Sequence, residues 1–219
     1  VLSRYVLEAC RLIGYDAMVP GDQEFSCGAD FLTAHAKGLP MVCANLELRK
    51  GSAWTRPFPK SLLLERGGVK IGVTAVIAPE AFRYYPRRLT EGLRVLNAAK
   101  AAAEEAALLR KRGAALVVLL SHSGFEADRE LEKDLTGIDV IVGGHSHTRL
   151  DPSVIVTSTV NPEGTLIAQS YRYAGNLGVV NIGFTGNDID GYEIAYREGY
   201  LVPTSSFTPA EEDLQAYLD

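Results

Sequence analysis

Only four histidines occur among the 219 residues, and three of them stand where apolar runs stop. His145 and His147 follow Ile138–Val142, a short run of branched apolar residues that reads as a buried strand. Gly143 and Gly144 lie between, and glycines allow a tight turn and close backbone approach. His122 follows a second apolar run, Ala115–Leu120, within Ser121-His122-Ser123-Gly124. Neutral imidazole is a common metal ligand. In open α/β sheets ligands settle beyond the carboxyl ends of the strands. The chemistry these three residues could share is therefore capture of a cation. A polar loop with solvated histidines is the plainer reading of His-x-His alone. Placing three of four histidines at two predicted strand ends counts against it.

Ser-His-x-Gly, then a helix, then the segment from Gly137 to Thr148 (Gly-Ile-Asp-Val-Ile-Val-Gly-Gly-His-Ser-His-Thr) resembles the calcineurin-like metallophosphoesterases. Within them it is most similar to the 5′-nucleotidase branch, which includes periplasmic UDP-sugar hydrolases. The similarity extends upstream through Gly14-Tyr15-Asp16-Ala17 and downstream from Ile167 to Phe184, so it spans most of the chain. The resemblance implies an α/β layered fold, with two mixed sheets flanked by helices and metals held by loops at the strands' carboxyl ends. It implies two divalent cations (Zn, Mn, Mg or Fe) and an in-line attack on phosphorus. By the same resemblance, His122 and His145 serve one metal and His147 the other.

Gly21-Asp22-Gln23-Glu24 lies where the family carries Gly-Asn-His-Glu. Asp22 then replaces a ligand amide with a carboxylate. Gln23 stands where the family has a histidine that acts on the phosphoryl or leaving group. An amide has no usable pKa, so it can hydrogen-bond but cannot pass a proton. Glu24 keeps an orienting role behind the ligands. The family's Asp-x-His and Gly-Asp motifs fall before the helix that opens this chain, and its nucleotide-specificity domain would follow Asp219. Residues 1–219 are thus expected to form a single metallophosphoesterase-like domain without those parts. Two functions stay open: a weakened phosphoesterase acting on a small phosphate ester or nucleotide, and a non-catalytic scaffold within a larger secreted protein. The resemblance implies a periplasmic or extracellular location and further domains of the same chain.

Composition sets bounds of its own. The net charge of −5 gives no basic footprint for nucleic acid. No apolar run reaches membrane-spanning length. Cys10, Cys27 and Cys43 are far apart and odd in number, which favours small buried residues with at most one disulfide. The chain opens on Val1 without a signal peptide and reads as a piece of something longer.

The elements that must position the histidines follow from periodicity. Val1–Ile13 and Asp30–Ala36 are predicted helices, and Ala17–Val19 and Pro40–Ala44 predicted strands, with Asn45 at the end of the latter. Gly51–Pro59, with the lone Trp54, reads as loop. Leu62–Glu65 and Val69–Ala78 read as a hairpin turned at Gly67-Gly68. Pro79–Thr90 is aromatic and basic. It reads as a surface loop, with contact to a phosphate or nucleobase as the alternative. Glu91–Arg112 is predicted as the longest helix, burying Leu93, Leu96, Ala103, Ala107 and Leu108. Strand Ala114–Leu120 and helix Glu126–Leu135 precede the His-x-His strand. Val154–Ser158, Leu166–Ser170, Leu177–Phe184 and Asp188–Tyr196 are predicted strands, and a short helix is expected from Pro209.

Overall fold

A computed structural model describes residues 2–187 and 191–204. The chain opens with helix α1 (Leu2–Ile13), makes a 3-10 turn at Gln23–Phe25, and continues into α2 (Ala29–His35). Strands β1 (Leu46–Lys50) and β2 (Ala53–Thr55) follow, then the hairpin β3 (Ser61–Arg66) and β4 (Val69–Ile77). After a second 3-10 turn come α3 (Arg87–Thr90), β5 (Leu93–Val95) and α4 (Ala98–Lys111). The second half runs β6 (Leu116–His122), α5 (Phe125–Glu132), β7 (Val140–Gly143), β8 (Val154–Val156), β9 (Thr165–Ala168), β10 (Asn176–Asn187) and β11 (Gly191–Pro203).

The architecture is α/β, with layered sheets flanked by helices, as the sequence led us to expect. A six-stranded mixed sheet has the order β3-β4-β6-β7-β9-β8. Its inner strands β4, β6, β7 and β9 are parallel, and β3 and β8 run antiparallel at the edges. A three-stranded antiparallel sheet, β2-β1-β5, forms a second layer, and Leu46 of β1 shares a core cluster with Ile77 of β4. The β10-β11 ribbon packs Val180, Ile182, Phe184 and Ile194 against Leu116, Val140 and Leu166.

Helix α4 covers the opposite face of the main sheet. Ala102, Ala106 and Leu109 join Val117, Leu119, Ile141 and Ile167 in one buried cluster. Each fully buried Leu or Ile there contributes about 1.5–3 kcal/mol relative to exposure. Buried Glu105 fastens the helix to the sheet edge, accepting from Ser61 Oγ at 2.7 Å and pairing with Lys60 Nζ at 3.1 Å.

Several sequence expectations need correction. The helix predicted from Glu91 begins only at Ala98, because Asn97 caps it by accepting from Lys100 N at 2.8 Å. Leu93–Val95 is instead strand β5, paired to β1. Of the expected contacts, Ala103 on α4 packs against the core cluster of the main sheet, and Leu93 packs from β5 on the other core cluster. Leu109 is buried, whereas Leu108 is 49% exposed and Ala107 is exposed.

The strands predicted at Ala17–Val19 and Pro40–Ala44 shrink to one parallel bridge, Met18 to Met41. Proline lacks a donor at position 40. The groups beyond it turn elsewhere, Cys43 N to Pro59 O and Ala44 N to Ala75 O. Part of the Gly51–Pro59 loop is strand β2, pairing with a β1 the sequence reading passed over. The strand predicted over Asp188–Tyr196 is described from Gly191 and runs to Pro203; residues 188–190 and the helix expected from Pro209 lie outside the described residues. Cys43 is buried, Cys10 half-buried and Cys27 exposed. The small-and-buried expectation thus holds for Cys43 alone. No described helix is long and apolar enough to cross a membrane.

Candidate metal centre

His122 is the last residue of β6, in register with Ile77 at the end of β4. The turn at Gly21-Asp22 passes directly over it. A Cβ on Gly21 would stand 2.6 Å from His122 Cε1, so only glycine lets the backbone approach the imidazole this closely. That approach brings Asp22 Oδ1 to 2.8 Å from His122 Nε2 and 3.7 Å from His145 Nδ1. The two imidazole rings lie 5.0 Å apart at 62°. One ligand atom from each of Asp22, His122 and His145 falls within 4.8 Å of the others.

This donor set fits a divalent cation: one carboxylate oxygen and two imidazole nitrogens suit Zn and its neighbours. Burial pushes the His122 pKa down, against the opposing pull of Asp22, so the ring is held neutral, the form that ligates. A cation at this point would take the place of the proton between His122 and Asp22.

His147, the fourth expected ligand, is exposed and does not join the group. Both His145 (φ 71°) and His147 (φ 55°) adopt left-handed backbone, uncommon for non-glycine residues. The remaining histidine, His35, stacks on Phe31 at 4.1 Å and belongs to α2 packing. Glu24 Oε2 accepts from Gly21 N at 2.7 Å, closing the turn that carries Asp22. Gln23 Nε2 donates to Asp22 Oδ2 at 3.3 Å.

Three further side chains stand at or behind the centre: the sequence analysis passed over Gln169, noted Asn45 only as a strand end, and read the segment of Tyr85 as a loop with phosphate or nucleobase contact as the alternative. Gln169, 4% exposed, clamps the histidine loop. Its Nε2 donates to Gly144 O at 2.6 Å, and its Oε1 accepts from Ser146 Oγ at 3.0 Å and Thr148 N at 2.8 Å. The available signal was a lone amide directly after the apolar run Leu166–Ala168. Tyr85 also stands near the site: burial, with the Asp22 and Glu24 charges, pushes its pKa up to about 12. It therefore stays an O–H at working pH. Lastly, Asn45 ties layers together behind the site, donating to Ile77 O at 2.8 Å and Leu96 O at 3.0 Å.

Gln169→Leu leaves Gly144 O and Thr148 N without their partner and frees both left-handed histidines. We expect divalent-cation affinity, measured by isothermal titration, to fall about 10–100-fold, as losses behind a ligand shell do. Unchanged affinity would show that the loop holds its shape without the clamp.

Asp128 of α5 lies beneath the same loop. It is fully buried, accepts from Ser121 Oγ at 2.5 Å, and leaves Oδ2 without a partner. A Cβ on Gly143 would meet that oxygen at 2.7 Å, so β7 can pass only as glycine. Burial, opposed by the Ser121 bond, pushes the Asp128 pKa from 3.8 up to about 7. Between those values the folded state keeps a proton that the unfolded chain has lost. Stability therefore falls as pH rises from about 4 through about 7. Asp128→Asn mimics the protonated acid and should flatten the dependence of the melting temperature on pH across that window. An identical slope in the variant would assign the dependence to other groups.

No family model matches the chain. It is 28% identical over 206 residues to a 5′-nucleotidase of Diplobatis ommata, covering 85% of this chain and 34% of that protein. It is also 28% identical over 214 residues to the trifunctional nucleotide phosphoesterase YfkN of Bacillus subtilis, covering 81% of this chain and 14% of that protein. The chain thus spans about a third or less of these two relatives. Among solved structures, a 5′-nucleotidase precursor from Thermus thermophilus matches with a TM-score of 0.79 at 26% identity, covering 99% of this chain and 44% of that one. The calcineurin-like phosphoesterase YfkN from Bacillus subtilis gives 0.79 at 21% identity, covering 98% and 71%, a likeness of fold.

Proposed function

We propose that the chain, similar to calcineurin-like phosphoesterases of the 5′-nucleotidase branch, forms the metal-binding unit of a divalent-metal-dependent phosphoesterase with a weakened site. The observation that carries the reading is the convergence of Asp22, His122 and His145 at the carboxyl ends of parallel strands. A divalent cation bound there supplies Lewis-acid charge for a phosphoryl oxygen and lowers the pKa of water. Asp22 contributes the charge-neutralising oxygen, and His122 and His145 the nitrogens. By the same resemblance, His147 would hold a second cation. Glu24 and Gln169 hold the two ligand-bearing turns in place.

Gln23 carries the weakening. Its amide is spent on Asp22 and has no proton to give. The substrate is a small phosphate ester, a nucleotide by analogy with the relatives, and the location is periplasmic or extracellular. Residues 1–219 act as one domain, and further domains of the same protein supply substrate positioning.

Gln23 equally motivates a second reading, a scaffold that keeps the fold and not the reaction. Elemental analysis of protein purified without chelator, together with hydrolysis of a nucleoside monophosphate and an aryl phosphate, tests both. The phosphoesterase reading expects bound metal and slow turnover. Protein that takes up no divalent cation and hydrolyses neither ester leaves the scaffold.

A further inference from the structure

Helix α5 joins the two strands that lead to His122 and His145, and its inner face holds a carboxyl group that packing alone does not require. Asp128 is fully buried, with Oδ2 unpartnered. A buried, unsatisfied oxygen is costly, and an apolar side chain of similar size would avoid that cost. What the carboxyl group touches is the last rung of the β6–β7 pairing, where Ser121 and Gly143 are Cα partners. On the β6 side, Asp128 Oδ1 accepts from Ser121 Oγ at 2.5 Å. On the β7 side, Oδ2 lies 2.7 Å from where a Cβ on Gly143 would be. One side chain therefore spans both strands at their common end.

Both histidines lie just past this rung. His122 follows Ser121 directly, and His145 comes two residues after Gly143. Gly144, between them, runs against the His122 ring: a Cβ on it would stand 3.5 Å from His122 Nδ1. The amino end of α5 adds a second tie, Phe125 N donating to Ser146 Oγ at 3.0 Å, just beyond His145. The spacing of the two imidazoles, 5.0 Å between ring centroids, thus depends on how closely the strand ends approach beyond the rung. We propose that Asp128 is a positioning residue of the metal centre, which fixes the separation of His122 and His145 by spanning Ser121 and Gly143. It stands outside the group of Asp22, His122 and His145 and acts only through the backbone that carries them. The proposal rests on the reading of those side chains as metal ligands and adds the group behind them that sets their spacing.

Asp128→Ala removes both contacts, whereas Asp128→Asn keeps an acceptor for Ser121 Oγ and fills the same space. Glu126→Gln, on the exposed side of α5, is the control. The imidazole proton and nitrogen resonances of the metal-free proteins are recorded at one pH. Co²⁺ is then titrated in, and its d–d absorption band reports the coordination geometry. Asp128→Ala should move the resonances of His122 and His145 and leave His35 in place. It should also weaken Co²⁺ binding about 10–100-fold and change the band. Asp128→Asn and Glu126→Gln should stay close to the wild type in every reading. A lower melting temperature in Asp128→Ala with resonances and Co²⁺ band unmoved overturns the assignment, since Asp128 then serves packing alone. Equal shifts in Asp128→Asn and Asp128→Ala, or shifts that include His35, also overturn it. Should Asp128→Ala fail to fold, Ser121→Ala breaks the same bond from β6 and decides by the same resonances. Shifted resonances in a protein that binds no Co²⁺ support the positioning role and count against the phosphoesterase reading instead.

Discussion

Asp22→Ala will remove divalent-cation binding from this protein, by more than the roughly 10–100-fold expected for a residue that only supports a ligand. Asp22 is the common partner of both triad histidines, at 2.8 Å from His122 and 3.7 Å from His145. It is also the one anion in the group, and it is 8% exposed. The two imidazoles without it offer a cation no charge compensation in a partly desolvated place. Alanine further strips the acceptor from Gln23 Nε2. The measurement is titration of apo protein with Zn²⁺ or Mn²⁺, with His122→Ala as a parallel loss. His147→Ala is the informative contrast. His147 stands exposed outside the triad, so the first cation should bind the variant nearly as it binds the wild type. Equal loss in His147→Ala and Asp22→Ala would mean that the four side chains assemble only around a metal pair.

Gln23→His is expected to raise turnover, given bound metal, by about 10²–10⁴-fold, the usual worth of a positioned acid or base. The side chain at position 23 already lies against Asp22, at the edge of the triad. A histidine there would bring a proton that can move, with an ordinary pKa of about 6.5. The gain should therefore come with a new limb in the pH–rate profile near that value, which a merely structural improvement would not produce. The assay is kcat/KM on an aryl phosphate and a nucleoside monophosphate, for both proteins at saturating metal. No gain with metal bound would show that proton transfer is not what limits the site. No gain with no metal bound favours the scaffold. Fast hydrolysis by the Gln23 protein itself would remove the premise that this position weakens it.

The sequence by itself determined the alternation of strands and helices, the strand ends that carry His122 and His145, and the kinship. These are legible because they are local. A run such as Ile138–Val142 is apolar and branched wherever it lies, and glycines after it permit close approach wherever they stand. The β3-β4 hairpin was readable for the same reason, with its two runs and Gly67-Gly68 between them. Where local signal was weak, reading failed. Before Lys111 the only bulky apolar residues of α4 are the adjacent Leu108 and Leu109, which leave the phase open by one position, and packing on Val117 and Leu119 chose Leu109 as the buried one.

The resemblance already put Asp22, His122 and His145 in one ligand set; the contacts that hold them were decided by the tertiary structure. His122 and Asp22 are 100 residues apart in sequence, and nothing near Gly21 announces that an imidazole will fill the space where its Cβ would be. Gln169 looks like the end of one more strand until the loop from Gly144 to Thr148 folds onto it. Tyr85 reads as a surface tyrosine until Phe82 docks on Phe25 and swings the segment inward. Hydrogen bonds and ligand geometry are set by distances between remote segments, and those distances exist only once burial of the core has drawn the strand ends together.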